Sequence, residues 1–341
     1  MSSHRSELTI DLRALRQNVR TLRRAVEGAE VWAVVKADGY GHGALDVARV
    51  GLEEGATALC VATLAEALPL RVAFPDARIL VMGPVEEVGE AREARLEVAL
   101  GHGPIPEGLP VHLKLDTGMG RWGFSELPAP TRAVVGLMTH FASADFDPDF
   151  TRLQVERFRA GTDGLPGLIR HAANSAAALR FPEARFDAVR VGIALYGLSP
   201  FGADPAADGL EPVLAWRSHL AQVKRLAAGA STGYGRRFVA ESETWIGIVP
   251  VGYADGFRRD MTGTSVVVEG ERRRIVGTVS MDAVAVELPG ELAVGTVATL
   301  IGDGLLLEEH ARVAETINYE LACGIGGAAG ETRGLRRVLD A

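Results

Sequence analysis

The chain has 341 residues, 47% hydrophobic and 23% charged, with a formal net charge of −8 at pH 7. That length suits one large domain or two ordinary ones, and the composition leaves ample apolar material for a core. The acidic balance gives no electrostatic footprint for nucleic acid, and no apolar run approaches the ~20 residues of a membrane span. The polar start Met-Ser-Ser-His-Arg-Ser-Glu lacks the apolar core of a secretory signal, so the expected setting is the cytoplasm, with neither membrane nor nucleic acid as partner.

In chain order, Leu12, Leu15, Val19 and Leu22 recur at helical spacing among arginines, predicting a helix over residues 11–27 with a solvated basic face and Thr9 or Asp11 as cap. Eight short apolar runs follow, at 31–37, 58–63, 78–83, 96–101, 110–117, 133–140, 168–174 and 188–195. Their near-continuous hydrophobicity fits parallel strands covered on both faces. Helical patterns at 44–54, 64–72, 84–95 and 150–160 fall between them. The alternation predicts a (β/α)8 TIM-type barrel over residues 8–212. Two connections, 102–109 and 122–132, are short and rich in proline. A crossover helix hardly fits there, so either the barrel lacks two outer helices or a strand is misplaced; the first is the expectation.

Pro200, Gly202, Pro205, Gly209 and Pro212 punctuate a linker. Beyond it, Val-, Ile- and Thr-rich runs at 214–226, 244–251, 264–268, 273–287 and 296–301 are separated by turns such as Glu269-Gly270 and Pro289-Gly290. That texture predicts a mainly β domain over residues 213–341. Cys60 and Cys323 are far apart in apolar contexts and are expected to be buried free thiols; no metal site is expected.

Catalytic groups of a parallel barrel collect at the C-terminal ends of its strands. Lys36 ends the first run, Lys114, Asp116 and Arg121 cluster after the fifth, and His140 ends the sixth. Asn174-Ser175 ends the seventh, and Arg190 lies on the eighth, followed by Gly192 and Ile193. Lys36 is one of only three lysines among 36 basic residues, and it is flanked by Val34, Val35 and Ala37. Such an amine is either a desolvated nucleophile suited to a Schiff base or a buried ion-pair partner. Gly39, Gly41 and Gly43 around Tyr40 give a turn that a phosphate can approach closely, though such turns are common.

Val-Val-Lys-Ala-Asp-Gly-Tyr-Gly-His-Gly (34–43) resembles the cofactor-lysine signature of alanine racemases. Leu-Lys-Leu-Asp-Thr-Gly-Met-Gly-Arg (113–121), Thr-His-Phe-Ala (139–142), Ala-Asn-Ser-Ala (173–176) and Arg-Val-Gly-Ile-Ala-Leu-Tyr-Gly (190–197) resemble later blocks of that family, in order. So do Ser-Thr-Gly-Tyr-Gly (231–235), Val-Gly-Tyr-Ala-Asp-Gly (251–256) and Ser-Met-Asp (280–282). The resemblance implies a barrel followed by a β domain, pyridoxal 5'-phosphate as cofactor, and interconversion of L- and D-alanine, which supplies D-alanine for cell-wall peptidoglycan. It implies that Lys36 binds the cofactor and is one of two proton carriers, with Tyr234 the other on the opposite face. Racemisation needs two, since one face is deprotonated and the other reprotonated.

The same resemblance sets Arg190 against the pyridine nitrogen, with His140 beside the ring and hydrogen-bonded toward the arginine. Tyr40, Ser175 and the Gly192 and Ile193 amides are implied to bind phosphate. Arg121 and the Met281 backbone are implied to bind the substrate carboxylate, with Lys114 carbamylated, as in some members, and orienting Arg121. Tyr253 and Asp282 are implied at the entrance, and a homodimer in which Tyr234 serves the partner's barrel.

On residue type alone, Tyr234 is a turn tyrosine, His140 a core histidine, Arg190 a buried ion-pair arginine and Lys114 a plain ammonium. Residues 324–333 depart from the family pattern, and a phosphate-contacting tyrosine expected there has no counterpart. Competing readings are a serine or broad-spectrum racemase, a decarboxylase of the same fold, or a non-catalytic pyridoxal-phosphate carrier. Arg190 speaks against a decarboxylase, which favours an acid opposite the pyridine nitrogen. Tyr234 and the β domain speak against a carrier, which needs neither.

Overall fold

The computed structural model describes residues 4–325 and 333–340. The chain forms two compact units: Leu15–Phe201 with Asp208–Leu210, and Gly202–Ala207 with the chain from Glu211 onward and the first residues up to Ala14. It opens with strand β1 (Ser6–Asp11) and helix α1 (Leu12–Ala25). Asp11 Oδ1 accepts from the Arg13 and Ala14 amides at 2.8 and 3.0 Å, the capping role its side chain suits.

The first unit is a closed barrel of eight parallel strands. They are β2 (Glu30–Val34), β3 (Ala58–Val61), β4 (Ile79–Val81), β5 (Glu97–Leu100), β6 (Val111–Lys114), β7 (Val134–Met138), β8 (Ile169–His171) and β9 (Ala188–Val191). Closure comes from β2 against β9, with Val31 opposite Val189 and Ala33 opposite Val191. All four residues of β3 are buried, as expected where both faces of a strand are covered. Between the strands lie α2 (Lys36–Tyr40), α3 (Ala44–Glu53), α4 (Leu64–Ala73), α5 (Val88–Glu93), α6 (Pro148–Thr162) and α7 (Ser175–Arg180).

Residues 101–110 and 115–133 carry no helix, while all eight strands are in place. The barrel has therefore lost two outer helices, and no strand was misplaced. Pro104, Pro106 and Pro110 remove donors from the first connection. The second folds on itself: the Asp116 amide donates to Phe124 O, and the Phe124 amide to Lys114 O. One position differs from the sequence reading. Strand β2 ends at Val34, so Lys36 stands beyond the strand rather than inside it, as the first residue of α2.

The second unit is built on a nine-stranded sheet. Its strands after β1 are β10 (Leu214–His219), β11 (Gln222–Leu226), β14 (Thr244–Val249), β15 (Ser265–Val268), β16 (Glu271–Val276), β17 (Val284–Leu288), β18 (Val297–Ile301) and β19 (Leu335–Asp340). Strands β12 (Ser231–Thr232) and β13 (Phe238–Val239) form a separate ribbon, and α8 (Leu307–Val313) and α9 (Asn318–Gly324) follow β18. Glu269 and Gly270, with φ of 52° and 77°, make the two-residue turn between β15 and β16.

Strand β1 lies between β10 and β19, antiparallel to the first and parallel to the second. Residues 6–11 thus stand with the β sheet, although the barrel reading began at residue 8. Their alternating burial, with Leu8 and Ile10 fully covered, is the period-2 pattern of a sheet strand, and it is too short to stand out beside a strong helix. Cys60 is buried and free, and burial raises its thiol to about 12; Cys323, expected to be buried, is exposed near the end of α9. Of the divergent segment 324–333, residues 326–332 lie outside the described residues. Among the described residues, no helix is long and apolar enough to cross a membrane.

Candidate active site

In the barrel unit, half-buried Lys36 is followed by five residues of positive φ: Ala37 at 52°, Asp38 at 50°, Gly39 at 62°, Tyr40 at 54° and Gly41 at 82°. They form a left-handed helical turn, in which the Gly39 amide donates to Val35 O at 2.9 Å and the Gly41 amide to Ala37 O at 3.0 Å. Each non-glycine residue there costs about 1–2 kcal/mol relative to a right-handed conformation. The surroundings hold the turn. The Ala37 amide donates to Glu66 Oε1 at 2.7 Å, the Ala44 amide to Asp38 Oδ1 at 2.9 Å, and buried His42 Nδ1 to Tyr40 O at 2.9 Å. Glu66 Oε2 also accepts from the Ala62 and Thr63 amides, so one carboxylate ties the lysine turn to the start of α4.

The Tyr40 ring packs on Tyr196, with centroids 5.0 Å apart, and its hydroxyl passes over Gly192. A Cβ at Gly192 would lie 2.5 Å from that hydroxyl oxygen, so only glycine admits the approach. Asn174 caps α7 by accepting from the Ala177 amide at 2.9 Å, and this presents buried Ser175. Ser175 Oγ accepts from the Gly192 amide at 3.1 Å and from the Ala194 amide at 3.4 Å, with Ile193 between them. Two hydroxyls and a run of backbone amides thus gather in one place.

Arg190 is buried on β9. Its Nη1 donates to His171 Nδ1 and His171 O, both at 2.7 Å; its Nη2 donates to Thr139 O at 2.7 Å, Ala172 O at 3.1 Å and His140 Nδ1 at 3.4 Å. None of these acceptors is a carboxylate, so the ion-pair alternative falls for this residue. Nε–H has no protein acceptor among the described residues. Burial pulls the guanidinium down to about 10, which leaves it cationic at neutral pH. Burial, reinforced by Arg190, Lys114, Arg121 and Lys36, holds His140 well below the usual histidine value, so it is neutral. Since Nδ1 accepts from Arg190, its proton sits on Nε2.

Lys114 ends β6 and is buried. Its Nζ lies 5.4 Å from the centroid of the Trp122 ring, and the exposed Arg121 guanidinium lies 5.0 Å from the same ring. Burial, then Arg190 and Arg121, draw the Lys114 amine down to about 8. About a tenth of it is therefore neutral at pH 7, the form that can take up carbon dioxide.

The remaining expected residues lie in the β unit. Tyr234, 72% exposed, sits between β12 and β13, flanked by Gly233 and Gly235 at φ of 77° and 71°. Thr278 Oγ1 donates to Tyr234 O at 3.1 Å, and a pocket of about 360 Å³ lies beside the tyrosine, lined also by Thr232, Thr278 and Ser280. Tyr253 and Met281 are on touching loops: the Tyr253 amide donates to Ser280 O at 3.0 Å and the Ala254 amide to Met281 O at 3.1 Å. The Asp282 carboxylate is paired with Arg333 at 2.7 Å, and Arg5 donates to its carbonyl.

Family models match both parts of the chain: the alanine racemase N-terminal domain over residues 10–200 and the C-terminal domain over residues 213–331. The chain belongs to the alanine racemase family. An alanine racemase of Geobacillus stearothermophilus is 40% identical over 357 residues, covering 93% of this chain and 90% of that protein. One of Levilactobacillus brevis is 41% identical, covering 94% and 95%. Among solved structures, the alanine racemase of E. faecalis matches at TM-score 0.89 and 38% identity, covering 98% of each chain. That of Bacillus anthracis, solved with bound L-Ala-P, matches at 0.84 and 33% identity over 95% of this chain and 94% of that one.

The sequence reading of this alanine racemase family member passed over Glu66, His112, His171 and Trp122. Only His112 left a signal: it precedes Lys114 by two residues, so both face the same side of β6. The buried histidines also set a pH dependence. Burial holds His112, His140 and His171 below the ordinary value of 6.5, so the unfolded chain binds protons more readily than the folded one. Their contribution is complete above the unfolded value and is lost as pH falls below it, by up to about 1.4 kcal/mol per pH unit for each histidine. A melting temperature that declines steadily between about pH 7 and 5 is the expected result; a flat profile would contradict three neutral histidines.

Proposed function

We propose that this protein is a homodimeric, cytoplasmic alanine racemase that interconverts L- and D-alanine with pyridoxal 5'-phosphate, supplying D-alanine for peptidoglycan. The carrying observation is the close approach of the Tyr40 hydroxyl to Gly192, beside Ser175 and a run of amides, in the unit that presents Lys36. A phosphate's oxygens would accept from the Tyr40 and Ser175 hydroxyls and from the Gly192 and Ile193 amides. When bound, the cofactor draws electron density from the substrate α-carbon.

Lys36 binds the cofactor through its amine and carries the proton at one face of that carbon, and Tyr234 carries it at the other. Arg190 would face the pyridine nitrogen of the bound cofactor through its Nε–H, which has no protein acceptor among the described residues. Because it keeps its proton, it would leave that nitrogen unprotonated and so restrain the ring as an electron sink, which disfavours side reactions. Neutral His140 accepts from Arg190 and would stand beside the cofactor ring. Arg121 and the Met281 backbone hold the substrate carboxylate. Carbamylated Lys114 would turn a buried cation into an anion that orients Arg121. Tyr253 and Asp282 line the entrance. The L-Ala-P bound to the Bacillus anthracis relative supports a small amino-acid substrate.

The test combines the visible absorption of the bound cofactor with racemisation of Ala, Ser, Val, Lys and Arg followed by chiral chromatography. Alanine is expected to exceed the others by about tenfold or more in kcat/KM, since one methylene in a closed pocket is worth about 1–3 kcal/mol. A flat profile would replace this reading with a broad-spectrum racemase, and a protein that takes up no cofactor would overturn it.

A further inference from the structure

A line of hydrogen bonds leaves Arg190 and crosses the barrel interior. Arg190 Nη1 is 2.7 Å from His171 Nδ1, His171 Nε2 is 2.8 Å from His112 Nδ1, and His112 Nε2 is 2.8 Å from Glu97 Oε2. Arg78 Nε completes it at 2.7 and 2.8 Å from the two Glu97 oxygens. Strands β9, β8, β6 and β5 supply the first four groups, and Arg78 immediately precedes β4. Neither histidine has any exposed surface. Trp32 walls both, with ring centroids 5.7 Å from His112 and 4.4 Å from His171. Gly136 on β7 makes the room: a Cβ there would lie 2.1 Å from His112 Nδ1.

Elementary chemistry fixes the direction of every bond. A guanidinium only donates, so His171 Nδ1 accepts. Burial, with Arg190 next, keeps His171 neutral, so its single proton is on Nε2 and points at His112 Nδ1. Burial likewise outweighs Glu97 at His112, whose proton is therefore on Nε2 and points at the carboxylate. Burial alone would raise Glu97, but His112 and Arg78 bring it below the ordinary carboxylate value, so it is an anion that can accept. From Arg190 to Glu97 the three donors point one way, and Arg78 donates to the same carboxylate from the far side.

We propose that His171, His112 and Glu97 are positioning residues for the racemase reaction: a one-directional chain that fixes the Arg190 guanidinium and ends three bonds away on a carboxylate already paired with Arg78. The inference rests on the reading of Arg190 as the group facing the cofactor ring. A carboxylate directly on Arg190 would take up its N–H groups and cancel its charge locally. With the carboxylate at the far end of two neutral imidazoles, and paired there with Arg78, the guanidinium keeps its charge where it is used. Polarised chains of this kind strengthen link by link in a low-dielectric interior.

Neutron diffraction from deuterated holoenzyme crystals reads the chain itself. Deuterium is expected on Nε2 of His112 and of His171 and on Nδ1 of neither; deuterium on either Nδ1 would overturn the proposal. Kinetics read the role. His171→Leu is expected to lower kcat about tenfold to a hundredfold, the worth of a hydrogen bond to a charged group, with KM within about threefold of wild type. His171→Gln, which can still accept and donate, is expected to recover most of that loss. Equal losses in both variants, or a loss confined to KM, would remove the positioning role. A wild-type enzyme without cofactor absorption would defeat the Arg190 reading, and the role with it, even where the deuterium order stands.

Discussion

Lys36→Ala is expected to lower racemisation by about 10⁴-fold or more and to abolish the visible absorption of the bound cofactor, while the protein remains folded. The size follows from the double loss. In the proposed function one residue supplies both the amine that holds the cofactor and one of the two proton carriers, and positioned acid–base catalysis alone contributes roughly 10²–10⁴-fold. Folding should survive because Lys36 is half-buried and stands beyond the end of β2. The hydrogen bonds that shape its turn come from the Ala37, Gly39 and Gly41 amides, which the substitution leaves in place. Circular dichroism and thermal melting check the fold, and chiral analysis of alanine checks the rate. More than about one part in a hundred of wild-type turnover would remove Lys36 from the proton-transfer step.

The second large effect is a restoration. Lys36→Ala and Tyr234→Ala chains are each expected to be nearly inactive, and mixing them through a shared denaturation and refolding step should return about a quarter of wild-type activity. The arithmetic is that of a twofold dimer with shared sites: random pairing makes half of the dimers mixed, and each mixed dimer holds one intact site and one doubly defective one. Tyr234→Ala should not disturb the fold, since the side chain is 72% exposed on a loop whose contact with Thr278 is made by the backbone carbonyl. Two different affinity tags would isolate the mixed dimer for direct assay. If its activity stays at the level of the parents, each chain uses its own tyrosine and the shared-site arrangement is wrong.

What the sequence conveyed and what it withheld divide along physical lines. Barrel strands such as β3 and β4 were legible because they are covered on both faces and read as unbroken apolar runs. The two lost helices were legible because proline cannot hide. By contrast, Gly39, Gly41 and Gly43 advertised a turn, yet positive φ also falls on Ala37, Asp38 and Tyr40, which do not favour it. The clamp on that turn, Glu66, lies 29 residues from the Ala37 amide it holds, and no local pattern could link them. His112 and His171 are 59 residues apart and meet only because the barrel closes. Strand β1 had the right alternation but no visible partner, since β19 lies at the other end of the chain. Cys323 was misjudged because apolar neighbours in sequence say nothing about which side of a short helix faces water.

The left-handed turn after Lys36 bears on any attempt to transplant this lysine. It is a mirror-image element in a right-handed chain, and on its own it would relax to the opposite hand. Grafting residues 34–43 onto another barrel would carry over the letters but not the shape. The donor must also bring Glu66 at the head of α4 and an amide like that of Ala44 for the Asp38 carboxylate. Together with His42, inside the graft, and the Tyr196 wall, far outside it, these make the smallest portable unit, which is a set of contacts scattered along the chain rather than a motif.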